Sequence, residues 1–228
     1  GIGIGGDYHN NRIFGNIITG SQEGIAGGGL GNGYNEIFGN TITENDVGID
    51  FVGFDEGNNK VYRNNINNNI DGIYLERTGN HSIYGNNIEN NEIGFHAGGM
   101  LGTEYNKFYH NNFIDNTHQT VDEGMFSFEN FWDDGYPSGG NYWSDYSIRY
   151  PDAQELDDSG IWNTSYVIDE NNVDRYPLIY PWSPLLGDVN GNNKVDMEDL
   201  GLACLSFAAN PTHPRWNPQV DIDGNGKI

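Results

Sequence analysis

Short apolar runs interrupted by asparagine and glycine recur along the first half of the chain. Five segments share one pattern of apolar and polar positions: NRIFGNIIT at 11, NEIFGNTIT at 35, NKVYRNNIN at 59, HSIYGNNIE at 81 and NKFYHNNFI at 106. Their inner asparagines are spaced by 24, 24, 22 and 25 residues: Asn16, Asn40, Asn64, Asn86 and Asn111. A repeat of this length is the sequence signature of a solenoid.

Apolar positions within each copy lie two to five residues apart, as at Val61, Ile66, Ile73 and Leu75. This spacing predicts short strands rather than helices. Three strands and three turns per copy make one coil of a parallel β-helix, in which aliphatic side chains stack inward from coil to coil. Asparagine is expected at the corners, because it tolerates the left-handed backbone and can form an amide ladder.

This pattern resembles the right-handed β-helix repeat family that includes NosD-like proteins and carbohydrate-binding or sugar-hydrolase repeat proteins. GGNYWSDY at 139–146 and YVIDENNVDRYPL at 166–178 resemble the segment that closes such helices. The resemblance covers residues 1 to about 182. It implies an all-β, right-handed parallel β-helix (solenoid) of at least five coils over 1–128 and a closing segment over 129–182.

The composition changes after the proline-containing linker YPWSPLLG, and residues 183–228 contain a different motif. Calcium loops place oxygen ligands at positions 1, 3, 5, 7, 9 and 12. The sequence supplies Asp188, Asn190, Asn192, the Lys194 carbonyl, Asp196 and Asp199 at these positions. We therefore predict a bound Ca²⁺ in a small α-helical, EF-hand-like module.

A second loop, DIDGNGKI, repeats the start of this motif with Asp221, Asp223, Asn225 and Lys227. Two such loops resemble a type I dockerin, which implies a cohesin-like partner. The second loop stops at its eighth position, and the chain opens inside a repeat. We interpret the chain as a fragment of a longer polypeptide with a partial dockerin-like module.

The chain is strongly acidic, with 33 Asp and Glu against 10 Lys and Arg and a net charge of -23. Such a charge disfavours nucleic acids and anionic membranes as partners and favours cations. Cys204 is the single cysteine, so there is no disulfide framework. No apolar stretch has the length of a membrane span. We expect an extracellular or cell-surface location.

An aromatic residue follows the inward aliphatic residue in every copy, and strand alternation points it outward. These residues are Phe14, Phe38, Tyr62, Tyr84 and Tyr109. Three interpretations are open. The rings stack on one another and on the closing segment, they pack against a second chain, or they bind sugar rings.

Catalytic chemistry is also considered, since paired carboxylates serve glycosidases and lyases. The candidate pairs are Asp50 with Asp55, Asp133 with Asp134, and Asp157 with Asp158. None of these pairs has nearby the Arg/Lys pair and the His that the resembling hydrolase family uses, and adjacent carboxylates arise by chance in so acidic a chain. A copper site at His96, His110 and His118 is disfavoured, because no Met or Cys lies near them in a motif.

The sequence therefore favours an extracellular, calcium-binding and largely non-enzymatic protein with a structural or adhesive role. It would assemble with itself or with a cohesin-like protein through its ends. The alternatives are a polysaccharide hydrolase or lyase carried by a dockerin, and a sugar-binding β-helix module.

Overall fold

The computed structural model describes residues 1–5, 9–28, 33–53, 57–99, 103–123, 129–184, 189, 195, 197–210, 212–215 and 220. The chain divides into two units, Gly1–Trp182 and Ser183–Ile228. Across these described ranges, no helix is long and apolar enough to cross a membrane.

The first unit is a parallel β-solenoid, in which each repeat contributes one strand to each of three sheets. The long-strand sheet contains β1 (Ile2–Gly5), β4 (Glu23–Gly28), β7 (Val47–Val52), β10 (Asp71–Glu76), β13 (Ile93–Gly98) and β16 (His118–Asp122). The aromatic sheet contains β2 (Arg12–Phe14), β5 (Glu36–Phe38), β8 (Lys60–Tyr62), β11 (Ser82–Tyr84) and β14 (Lys107–Tyr109). The third sheet contains β3 (Ile17–Thr19), β6 (Thr41–Thr43), β9 (Asn65–Asn67), β12 (Asn87–Glu89), β15 (Asn112–Ile114) and β17 (Tyr142–Trp143). The prediction of a parallel β-helix is confirmed.

The core is a set of aliphatic columns inside the three sheets. Ile66 and Ile73 are fully buried, and Ile73 lies in register between Ile49 and Phe95 of the neighbouring coils. Burying one such side chain stabilises the fold by about 1.5–3 kcal/mol. The inward positions predicted from the apolar spacing are therefore correct.

One residue per coil adopts the left-handed conformation at each corner. Between the aromatic and third sheets these residues have φ between 54° and 66°, and they are Gly15, Gly39, Arg63, Gly85 and His110. Each directly precedes an inner asparagine of the repeat, which itself has negative φ. The expectation of left-handed asparagine is therefore wrong for these inner positions, although Asn68 and Asn90 adopt that conformation at another corner.

Three side-chain ladders run along the solenoid, one at each corner. In the predicted ladder each Nδ2 donates to the Oδ1 of the next coil at 2.9 or 3.0 Å, through Asn16, Asn40, Asn64, Asn86, Asn111 and Asn141. A second ladder joins Asn11, Asn35, Asn59, His81, Asn106 and Asn130. A third joins Asn45, Asn69, Asn91 and Asn116. These amides satisfy buried polar groups that short strands leave unpaired at the turns.

The aromatic residues form a continuous outward stack on the aromatic sheet. Successive ring centroids lie 4.9–5.1 Å apart, with interplanar angles of 3–9°. The rings therefore stack on one another, as the first interpretation of the sequence predicted.

The closing segment contains α1 (Tyr146–Arg149) and the antiparallel pair β18 (Tyr166–Val167) and β19 (Val173–Asp174). It also ends two of the ladders. The backbone N–H of Asn130 donates to Asn172 Oδ1 at 2.9 Å, and that of Asn141 donates to Asp174 Oδ2 at 2.7 Å. The third ladder passes from Asn116 through a glutamine to the Ser144 hydroxyl. The segment thus contains the acceptors on which all three ladders end.

The second unit contains one helix among its described residues, α2 (Met197–Ser206). Glu198 and Asp199 lie in its first turn, where the helix dipole favours negative charge. The helix follows the first predicted calcium loop in the sequence. Most of that loop lies outside the described residues, apart from Val189 and Val195 between positions 188 and 196.

Candidate functional site

The predicted calcium loops lie in the second unit, and the structure describes Asp199 among their ten predicted ligands. The other nine lie outside the described residues: Asp188, Asn190, Asn192, Lys194, Asp196, Asp221, Asp223, Asn225 and Lys227. Calcium binding at these positions stays a prediction.

Asp199 lies in the first turn of α2 and is 3% exposed. Its Oδ1 accepts the backbone N–H of Val189 at 2.7 Å. In the predicted loop Val189 is position 2 and Asp199 is position 12. The last carboxylate of the motif therefore reaches back to the start of the loop.

The three histidines considered for copper occupy separate places in the solenoid. His96 lies on the outer face of β13, and His118 is the exposed first residue of β16. His110 is buried at a corner, where Nε2 lies 2.8 Å from the Ser138 carbonyl oxygen and the ring stacks on Trp182. Each imidazole therefore has different neighbours.

The neighbouring carboxylates of Asp133 and Asp134 each form a salt bridge with a basic side chain. Asp133 is buried and accepts two hydrogen bonds of 2.8 Å from the Arg175 guanidinium. Asp134 accepts from Lys107 and from the Ser138 hydroxyl. No basic residue accompanies this pair in a sequence motif, but the fold brings Arg175 and Lys107 onto it. The Lys107–Asp134 contact ties the closing segment to the coils, whereas the Arg175–Asp133 contact joins two parts of that segment.

The other two candidate pairs differ from each other. Asp157 accepts the Tyr136 hydroxyl at 2.7 Å at an exposed position, and Asp158 is exposed with φ 56°. Asp55 lies outside the described residues, whereas its predicted partner Asp50 lies on the outer face of β7.

A cluster of ionisable side chains covers this outer face of the long-strand sheet. We name it the outer-face cluster, and it consists of Asp50, Asp71, Tyr74, Glu76 and His96. Strand register places Tyr74 between Asp50 and His96 on adjacent coils. Parallel strands lie about 4.8 Å apart, so these three side chains form one row across the sheet.

His96 and Tyr74 are held in fixed orientations. His96 Nδ1 lies 3.1 Å from Asp71 Oδ1, and this hydrogen bond raises the pKa of His96. The Tyr74 hydroxyl donates to Glu76 Oε2 at 2.9 Å, and its ring meets His96 edge-on at 5.0 Å. A Cβ at Gly98 would collide with the Tyr74 hydroxyl, so the glycine makes room for this ring.

Asp50 has the most unusual environment in the cluster. Its Oδ1 is buried and has no hydrogen-bond partner within the described part of the chain. Burial, followed by the nearby carboxylates of Glu23, Glu76 and Asp71, raises the pKa of Asp50 to about 6. A groove of about 340 Å³ lies beside it, lined also by Glu23 and by glycines of β1 and β4. Such a carboxyl group can donate or accept a proton near neutral pH.

Sequence reasoning missed this cluster as a unit, although it named Asp50 and His96 separately. Asp50, Tyr74 and His96 are spaced by 24 and 22 residues, which are the local coil lengths. This row of side chains could therefore have been predicted from the sequence once the coil boundaries were known, because residues one period apart on the same sheet become neighbours.

The aromatic stack presents little ring surface to a sugar. Phe38 and Tyr62 are 2% and 7% exposed, and both faces of each ring are covered by neighbouring rings. Sugar binding by stacking requires an open aromatic face. The covered ring faces therefore favour the interpretation that the aromatic residues stack on one another over the interpretation that they bind sugar rings.

Residues 1–148 match the family model described as "Periplasmic copper-binding protein (NosD)". The chain belongs to the NosD family. No curated protein and no solved structure is significantly similar to it. The NosD description supports the β-helix resemblance seen in the sequence, and its periplasmic location is consistent with the expected location outside the cytoplasm.

The copper named in the NosD description has no matching site among the described residues. Within the ranges that the structure describes, no group of three or more His, Cys, Asp and Glu side chains is placed to hold one metal ion. His96, His110 and His118 do not converge, so we derive no copper chemistry from them.

Proposed function

We propose that this NosD-family protein is an extracellular structural or adhesive protein whose second unit binds calcium and docks a partner. The observation that carries the proposal is the continuous course of the three ladders. In these ladders, buried amides at the corners form hydrogen bonds between successive coils. This arrangement supports a structural role that depends on the stiffness of the solenoid. The periplasmic description of the family supports a location outside the cytoplasm.

The contact between Asp199 and Val189 supports the calcium part of the proposal. In a calcium loop the ligands at positions 1 and 12 bind the same ion, so the position-12 carboxylate must lie close to the first residues of the loop. The hydrogen bond of 2.7 Å from the Val189 N–H to Asp199 fits that requirement. We infer that Ca²⁺ binds to the loop 188–199 and orders α2.

Exposed apolar side chains on α2 and just after it support a docking role for the second unit. Leu200, Leu205 and Phe207 are 53%, 64% and 71% exposed. Apolar groups of this size favour burial against a partner. The partner would be a second copy or a cohesin-like protein.

Calcium titration calorimetry tests this proposal. The wild-type chain is expected to bind Ca²⁺, and Asp199→Ala is expected to weaken binding about tenfold or more, because it removes a charged ligand and the loop closure. Asp152→Ala removes an exposed carboxylate of the first unit and is the matched control. Absence of calcium binding by the wild-type chain would refute the calcium-dependent role.

The outer-face cluster favours a second candidate function, a hydrolase or lyase acting on a polysaccharide. Asp50 would be the general acid, with His96 as a second proton-transfer group. The wild-type chain would then release reducing ends from a neutral, uronate-containing or amino-sugar polymer, with activity falling as the pH rises above about 6. Asp50→Asn should abolish that activity, whereas Asp115→Asn at a corner should retain it. An inactive wild-type chain on all three polymer classes would exclude this candidate.

A further inference from the structure

Three basic residues of the first unit lie in one row beside the aromatic stack. We name this surface the basic strip, and it consists of Arg12, Lys60 and Lys107. Glu36 pairs with Arg12 and Lys60, and Asp134 pairs with Lys107. Three positive charges less two negative charges leave +1 on this strip, in a chain whose net charge is -23.

A groove of opposite charge lies at the corner between the third and long-strand sheets. The acidic groove has a volume of about 420 Å³, and its eight described lining residues include Glu44, Asp46, Ile70 and Glu92. Three of these described residues are acidic and none is basic. Ile70 is 50% exposed there and provides an apolar contact surface.

The two surfaces have the same axial period. Arg12, Lys60 and Lys107 lie on the first, third and fifth coils. Asp46 and Glu92 lie beside the second and fourth coils. Alternate coils are about 10 Å apart, so charges on one surface can meet charges on the other along the axis.

We propose that the acidic groove of one copy docks on the basic strip of another. The inference rests on the proposed structural function and names the surfaces used for self-association. Because the two surfaces are different, one copy of a pair keeps its strip free and the other keeps its groove free, so the contact generates lateral arrays or closed rings.

Ionic strength should control this association in two ways. The net charge of -23 makes copies repel each other at long range, and salt screens this repulsion. At about 1 M salt the Debye length falls to about 3 Å, so the local ion pairs weaken as well. Association should therefore be strongest at intermediate salt.

The proposal is tested by sedimentation velocity in about 0.15 M NaCl, a physiological ionic strength, with a calcium chelator in the buffer. Wild type should form concentration-dependent oligomers. Lys60→Glu should reduce association about tenfold or more, and so should Glu92→Lys, because each places like charges opposite each other. The double variant Lys60→Glu/Glu92→Lys restores opposite charges and should recover association. Arg215→Glu, an equal charge change in the second unit, should have no effect.

The outcomes separate this inference from the calcium proposal. A wild-type monomer at all concentrations and salt levels overturns lateral docking, as does failure of the double variant to recover when circular dichroism shows that it is folded. Association that requires calcium and survives Lys60→Glu would assign assembly to the second unit. Binding of a soluble polyanion to the strip without self-association would also overturn the inference.

Discussion

At the residue scale, two adjacent positions at each corner have different roles, and together they explain the asparagine-rich composition. The left-handed position takes Gly, Asn or another residue, whereas the following position must carry the ladder side chain. At Arg63 and Asn64 the first residue has φ 54° and the second joins the ladder. The repeat predicted the ladder, but spacing alone could not assign the left-handed backbone to the preceding residue, because Asn is compatible with both roles.

His81 shows how another side chain replaces asparagine within a ladder. Its Nδ1 accepts from the Asn59 backbone N–H at 3.4 Å, as an asparagine Oδ1 would. Its Nε2 lies 2.7 Å from the Thr78 hydroxyl, and its ring stacks on Phe51. Burial lowers the pKa of His81 from 6.5 to about 3. The imidazole is therefore neutral in the folded protein at pH 5.

We expect His81→Asn to remove part of the acid sensitivity of the fold. The stabilising contribution of neutral His81 is present above pH 6.5 and is lost as the pH falls toward 3, because the unfolded chain binds the proton more readily. Between about pH 8 and about pH 5 the wild type should lose about 2 kcal/mol from this group. Urea unfolding at both pH values measures the difference. His118→Asn, at an exposed position, should keep the wild-type change, and an unchanged pH dependence in His81→Asn would contradict the assignment.

At the element scale, each ladder couples strands that are too short to be stable alone. Asn64 accepts from the Asn40 backbone and side chain and donates to the Ile37 carbonyl and Asn86 Oδ1. The closing segment continues this arrangement, since Asp174 accepts from the Asn141 backbone and the Trp143 indole. Sequence resemblance predicted a closing segment over 129–182, but only tertiary contacts reveal which side chains complete the ladders.

Asn64→Ala should therefore lower the free energy of unfolding by about 2–4 kcal/mol, because it leaves several buried polar groups without partners. Asn67→Ala is the matched control on the outer face of β9, where water can replace the lost contacts, and it should cost less than about 1 kcal/mol. Chemical denaturation measures the free energy of unfolding of both variants. Equal losses for Asn64→Ala and Asn67→Ala would contradict the conclusion that the ladder stabilises the solenoid.

At the scale of the whole molecule, the two units depend on different interactions. The solenoid is stabilised by neighbour contacts between coils, and the second unit is proposed to depend on Ca²⁺. The acidic composition predicted a preference for cations, but it could not locate the basic strip. That surface exists because the coil period aligns Arg12, Lys60 and Lys107 on one sheet.

Removal of calcium should consequently affect one unit and leave the other folded. Differential scanning calorimetry should show a transition that moves to lower temperature with a chelator and a second transition that does not. Asp199→Ala should lower the temperature of the chelator-sensitive transition only, because it weakens the calcium loop. Asn64→Ala should lower the temperature of the other transition only, because it breaks a ladder in the solenoid. A single transition that shifts with chelator and with both variants would show instead that the units unfold together, since independent units cannot transmit a local loss of stability to each other.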